Sequence, residues 1–486
     1  MSAYDELMAF QRQTEALGQI AGRLGWDQET MMPEGAAGQR AEEFAAMESV
    51  LHARKTHPQI GEWLAKIDAS TLDPVSAANV RHIARSFERS QRIPPKLAEA
   101  IAKLSSSAQR IWADARERED VAAFLPALEE MIALKRDEAS ALAQGGDAYD
   151  ALLDDYEPDT SGEDVAATFA AMRPRLVALR DKVMGADQPP ELKFEFDEQK
   201  QMRLARSLAK TFGYDMQKGR LDKAVHPFSS GSGDDVRITT RTALTDPFNS
   251  IYSTIHETGH ATYEQNIASE HLLTPLGGGV SLGVHESQSR IYENQLGRSR
   301  AFTGWLFGQM KDAFGDFGVA NEDVFFRTVN RLNKGYIRTE SDEVQYNLHI
   351  MLRFDLERDV IAGKLEASDL EEAWNSRFEA DFGYAVDKPS NGLLQDVHWS
   401  CGLWGYFPTY ALGNVYAGCL YEALRVARPN LDSELAVGNV SGATEWLKDA
   451  VQIHGGLYRP TELIERASGL VPSEGPLLGY LERKFG

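Results

Sequence analysis

Apolar residues recur along most of this chain at alternating spacings of three and four, the period of a helix with one buried face. Residues 161–184 show the pattern: Val165, Phe169, Met172, Leu176, Leu179 and Val183 share a face. Ser161 precedes Asp164 by three, a capping-box-like start, and Pro174 predicts a kink or a break. The same period predicts helices over 3–24, 35–54, 76–87, 95–118, 121–143, 198–213, 301–315, 322–334, 343–361, 367–380 and 443–454. Gly and Pro mark the joints, at Gly145-Gly146, the MGADQPP stretch at 184–190 and SSGSGDD at 229–235. Between Leu192 and Phe248 the helical pattern fails. KFEFD alternates apolar and charged residues, and DVRITTRTAL is rich in β-branched ones, so a small sheet is expected there. The fold class is mostly α with a minor β ribbon, and the chain shows no internal repeat.

Bulk properties narrow the partners. The 486 residues, 43% hydrophobic and 26% charged, suffice for a large core and two or three subdomains. A net charge of −22, from 73 acids against 51 bases, repels nucleic acid and anionic lipid, so neither is an expected partner. Two cysteines, Cys401 and Cys419, are too few for a disulfide scaffold and read as core fillers in a reducing compartment. MSAYDELMAFQRQ has no basic stretch followed by an apolar run, and no apolar segment approaches the ~20 residues that span a bilayer. A soluble, cytoplasmic protein is expected.

The chemistry concentrates in His256-Glu257-Thr258-Gly259-His260. Two imidazoles four apart on a helix point the same way, one turn apart, and can hold one metal ion, as in the H-E-x-x-H zinc hydrolases. Glu257 then lies beside the water that such an ion activates and is the candidate general base. The helix is expected to start near Asp246-Pro247 or Asn249-Ser250. A third ligand must come from elsewhere. Tyr263 and Asn266 occupy the places of the astacin-like extension. Glu264 shares the helix face but lies eight residues beyond His256, ~12 Å along the axis and out of reach. The best candidate is Glu286, which opens a new helical pattern after the Gly277-Gly278-Gly279 turn, so that a second helix can return across the first. Glu293 is the alternative, either as ligand or as support for one.

Seven blocks now stand in a recognisable order. They are WDQETMMP (Trp26 to Pro33), His226-Pro227-Phe228, Asp235-Val236-Arg237-Ile238-Thr239, the HETGH motif, His285-Glu286-Ser287-Gln288, Ile337-Arg338-Thr339-Glu340-Ser341-Asp342, and Gly392-Leu393-Leu394-Gln395-Asp396-Val397-His398-Trp399. The chain resembles the carboxypeptidase Taq family of metallocarboxypeptidases over almost its whole length. It departs at Ser341, where the family usually has Ala. The resemblance implies one catalytic unit over 1–486, with two helical lobes lining a deep groove, similar to angiotensin-converting enzyme and neurolysin. It implies one zinc ion per subunit (cobalt in some members), held by His256, His260 and Glu286. It also implies a homodimer that releases single C-terminal amino acids from peptides with broad specificity.

A carboxypeptidase must bind a free C-terminal carboxylate, for which the planar fork of arginine is the natural partner. Arg338 and Arg237 are the candidates, and the family's carboxylate clamp falls on Arg338. Structural bridges compete, from Asp342 for Arg338 and from Asp234 or Asp235 for Arg237. The oxyanion needs donors besides the metal. By analogy with the converting-enzyme fold, His398 supplies an N–H and Tyr406 or Tyr410 a phenol, with Tyr410 preferred. His226 either contacts the substrate's last residue or supports the site. A neurolysin-type zinc endopeptidase is the alternative function. A helical peptide-binding protein that has lost its chemistry is a third, which the intact Glu257 disfavours.

Overall fold

The computed structural model describes residues 2–189 and 191–486. They fold mainly as helices, with one three-stranded sheet. Every helix expected from periodicity is present, several with longer or shorter ends. Pro174 does not break its helix: Gly162–Met184 is continuous through it, capped by Ser161 Oγ, which accepts from the Asp164 N–H at 3.1 Å. An interior proline costs ~3 kcal/mol. Burial of Val165, Phe169, Met172, Leu176 and Leu179 on one face offsets it, at ~1.5–3 kcal/mol for each large side chain. The Gly- and Pro-rich joint at 184–190 follows this helix, and its last residue, Pro190, lies outside the described residues.

Among the described residues, six α-helices lie outside the ranges expected from sequence, Pro408–Ala427 being one. Its residues 411–421 are all buried. A helix covered on every side has no polar face, so no 3.6-residue alternation marks it.

The sheet is smaller than the alternation at 192–248 suggests. It has β1 (Leu221–Lys223), β2 (Ser229–Ser232) and β3 (Asp235–Thr240) in the order β1-β3-β2. β1 runs parallel to β3 with Leu221 opposite Ile238, and β2 is antiparallel with Ser230 opposite Arg237. KFEFD forms no strand. Its alternation instead buries Phe196 against Phe314 and Phe317, and one backbone bond, Phe196 N–H to Leu244 O at 2.7 Å, holds the segment. Burial of alternate side chains does not require a neighbouring strand.

The chain divides into two compact units. One contains Met1–Ser90, Pro189–Asn330 and Cys419–Pro472; the other contains Gln91–Gln188, Arg331–Gly418 and Ser473–Gly486. In the first, Val236 and Ile238 of β3 pack with Leu221, Ala205, Ala209, Tyr214 and Ala261, which seats the sheet against the Pro247–Asn266 helix. In the second, the Gln345–Ile361 helix is buried nearly all round, with Leu348, Ile350, Met351, Leu352, Phe354 and Leu356 fully inaccessible. No helix among the described residues is long and apolar enough to cross a membrane.

The Pro247–Asn266 helix, called the motif helix below, begins at Asp246-Pro247, one of the two starts expected. Asp246 Oδ1 accepts from the N–H groups of Phe248 (3.0 Å) and Asn249 (3.3 Å), and Pro247 occupies the first turn, where its missing N–H costs nothing. Asp246→Ala is expected to cost about 1 kcal/mol of stability. A chemical-denaturation midpoint unchanged from the parent would contradict this account of the helix start.

Candidate metal centre

His256 and His260 lie on one face of the motif helix. Glu286 comes from a second helix, Leu282–Arg290, which Ser281 caps by accepting the Val284 N–H at 3.1 Å. Glu286 Oε2 stands 3.7 Å from His256 Nε2 and 3.4 Å from His260 Nε2, and one donor atom from each of the three residues lies within 4.8 Å of the others. Ligands ~2.1 Å from one ion at tetrahedral angles are separated by ~3.4 Å. The donor set therefore fits a divalent ion with little movement.

The approach of the second helix depends on Gly259. A Cβ there would lie 2.5 Å from Gln288 O and 2.6 Å from Ser289 Cα. Any side chain at 259 would hold the crossing helix, and Glu286 with it, off the histidines.

The groups behind the ligands are also ordered. Glu286 Oε1 accepts from Arg290 Nε at 2.6 Å. Past Arg290 the chain widens into a π-helical turn, Ile291–Gly297, which carries Glu293. Glu293 Oε2 lies 2.9 Å from His256 Nδ1, the nitrogen facing away from Glu286, and its other oxygen accepts from Arg298 at 3.1 Å. This places Glu293 behind His256 rather than among the three donor residues. Glu264 is likewise outside the donor set, as its axial distance implies.

The electrostatics follow from burial and neighbours. Burial pushes the Glu257 carboxyl up to about 7, and Glu286 and Glu293 push the same way. Burial lowers His260 to about 3. Glu286 is driven the other way: burial raises it, but Arg290 and His256 outweigh burial and hold it well below the usual carboxylate range.

The other candidates fall in the second unit, except Arg237 and His226. Arg338 is buried, and its Nε and Nη2 donate to Asp396 Oδ1 at 3.2 and 3.1 Å. Its guanidinium sits 4.9 Å from the Tyr410 ring centre. Asp342, the expected competitor, does not take part. It caps the Gln345–Ile361 helix by accepting the N–H groups of Val344 and Gln345, both at 3.0 Å. The Asp396 carboxylate is shared with a second fully buried arginine, Arg353, whose Nε donates to Oδ2 at 2.7 Å. Two buried guanidinium groups on one carboxylate leave an excess positive charge. Arg353 was not identified from sequence; the available signal was an arginine directly between Ile350-Met351-Leu352 and Phe354.

His398 packs between Phe407 (centroids 4.6 Å) and Tyr406 (5.4 Å), and burial lowers it to about 4. Tyr410 donates to the Tyr406 hydroxyl at 3.4 Å, and burial holds its own phenol well above the usual range. His398, Tyr406, Tyr410 and Arg338 are thus brought into one neighbourhood. In the first unit, Asp235 occupies the Arg237 fork at 2.8 and 3.0 Å, while Trp26 from the first sequence block lies 4.5 Å beneath the guanidinium. Asp234 pairs with Lys218 instead, at 2.9 Å. His226 is exposed in the segment joining β1 and β2.

Paired histidines on one helix, a glutamate from a crossing helix and an adjacent buried carboxylate define a metallohydrolase-type centre in a helical fold. The family described as carboxypeptidase Taq (M32) metallopeptidase matches residues 6–485, and the chain belongs to it. It is 41% identical to thermostable carboxypeptidase 1 of Thermus thermophilus, over 100% of this chain and 98% of that protein. It is similar to the crystal structure of M32 carboxypeptidase from Deinococcus radiodurans R1, with a TM-score of 0.97 and 38% identity over 100% of this chain and 99% of the other. Metallocarboxypeptidase 1 of Trypanosoma cruzi gives 0.96 and 33%, over 99% of each chain. Membership implies a divalent metal, for which the described residues provide one fitting His/Glu group.

Gly259→Ala tests the crossing. The added carbon forces the helices apart by on the order of 1 Å, at a cost of ~1–3 kcal/mol. Reduced metal content together with a lower Tm is expected. Full metal occupancy at an unchanged Tm would show that the crossing does not set the third ligand.

Proposed function

We propose that this protein is a zinc carboxypeptidase of broad specificity that removes single C-terminal residues from peptides, with cobalt as an alternative ion. The observation that carries the reading is the His256–His260–Glu286 donor set with Glu257 buried beside it. Two imidazoles and one carboxylate, with a position left for water, suit catalytic zinc. A divalent ion held there supplies Lewis acidity, polarising the scissile carbonyl and acidifying water. Glu257 takes the proton from the attacking water and passes it to the leaving amine. The His398 N–H and the Tyr410 phenol donate hydrogen bonds to the developing oxyanion, with Tyr406 ordering or replacing Tyr410 through their mutual bond.

The restriction to chain ends is assigned to Arg338. Its cluster with Arg353 and Asp396 carries one unbalanced positive charge, and a substrate carboxylate balances it. Arg237, whose fork Asp235 already fills, is the lesser candidate for substrate contact, and exposed His226 is proposed for the substrate's terminal residue. A cytoplasmic homodimer completes the reading. The family resemblance supports the dimer, and two cysteines not joined in a disulfide support a reducing compartment.

Glu257→Gln is expected to lower kcat by about 10²–10⁴-fold or more while the protein keeps its metal, read by kinetics alongside metal analysis. Peptidase activity retained in that variant would remove Glu257 from the mechanism. C-terminal amidation removes the charge that Arg338 is proposed to bind, so amidated peptides should resist cleavage. Equal turnover of free-acid and amidated peptides would support the neurolysin-type endopeptidase reading.

A further inference from the structure

The two ligand histidines are backed differently. His256 Nδ1 meets a carboxylate directly, Glu293. His260 Nδ1 meets another imidazole, with His285 Nδ1 at 2.6 Å. The opposite nitrogen of His285, Nε2, lies 3.0 Å from Glu264 Oε1, which also accepts the Gly279 N–H at 2.9 Å. Glu264 Oε2 is buried without a hydrogen-bond partner, so this carboxylate bonds through one oxygen.

The seat of His285 is shaped for its ring. Tyr263 packs on it with centroids 5.2 Å apart. At Gly279 a Cβ would lie 2.7 Å from His285 Cδ2 and 2.9 Å from Tyr263 Cε1. The last glycine of the Gly277-Gly278-Gly279 turn is therefore where the chain makes room for this ring.

With both imidazoles neutral and Glu264 ionised, one arrangement of protons satisfies these hydrogen bonds. A carboxylate only accepts, so His285 must present N–H at Nε2. A neutral imidazole has one N–H, which leaves His285 Nδ1 as an acceptor. His260 must then donate from Nδ1, and its Nε2, the atom facing Glu286, carries a bare lone pair. We propose that His285 and Glu264 are positioning residues that fix the tautomer and ring orientation of His260, presetting it as a metal ligand. This rests on the reading of His256, His260 and Glu286 as the metal site.

Zinc affinity, measured by chelator competition on proteins of matching circular dichroism, tests the proposal. His285→Leu removes the acceptor and is expected to weaken zinc binding by about 10–100-fold. His285→Asn places an amide oxygen where Nδ1 stood and should recover most of that loss. Glu264→Leu should weaken zinc, and Glu264→Gln, which keeps an acceptor, should do so less. In the unaltered zinc-loaded protein, histidine-selective ¹⁵N NMR should show the His285 proton on Nε2 and the His260 proton on Nδ1. This last readout decides the matter if His285→Leu does not fold. Zinc affinity of His285→Leu within twofold of the parent overturns the proposal, as does equal loss in the Leu and Asn variants or a proton on His285 Nδ1. An unaltered protein that takes up no stoichiometric zinc overturns the metal site itself, a result distinct from these.

Discussion

The candidate metal centre depends on how closely two helix backbones can approach. At Gly259 the Gln288 carbonyl and the Ser289 Cα occupy the space that a side chain would fill. This contact lies between the two histidines in sequence and brings Glu286 to within 3.4–3.7 Å of their Nε2 atoms. The supporting groups follow from the same crossing. Arg290 follows Glu286 by one turn, and the widened turn at Ile291–Gly297 sets Glu293 against His256 Nδ1.

Burying charge is costly unless it is balanced, and one cluster in each unit balances it in an opposite sense. Around the metal position, Glu286 and Glu293 are met by Arg290 and Arg298, while Glu257 has no such guanidinium contact and is raised to about 7. In the other unit, Asp396 serves both Arg338 and Arg353. Burial pushes its carboxyl up, but the two guanidinium groups outweigh burial and hold it below the ordinary range. An excess of positive charge in a buried place is poor design for stability alone. It suits the carboxylate-binding role proposed for Arg338.

Local signals were legible in the sequence where local physics decides. Asp246-Pro247 marks a helix start, and spacing of four pairs His256 with His260. The glycine triplet indicates a reversal that brings Glu286 back. Where tertiary contacts decide, the sequence misleads or is silent. The alternation in KFEFD reflects burial of Phe196 in an aromatic cluster rather than strand pairing. Pro408–Ala427 has no polar face to betray it. Spacing of four suggests that Asp342 bridges Arg338, but that rule assumes a continuous α-helix. Arg338 instead sits in a single 3-10 turn and finds Asp396, 58 residues away. The backing of His260 by His285 is equally invisible, since the two are 25 residues apart on different helices.

Time-resolved mass spectrometry of an unblocked peptide, with the metal stripped and then restored one equivalent at a time, tests the central claim most directly. The account predicts no products from the stripped protein. Return of about one equivalent of zinc should restore a ladder in which each product is one C-terminal residue shorter. Internal fragments, or an undiminished ladder from the metal-free protein, would contradict it.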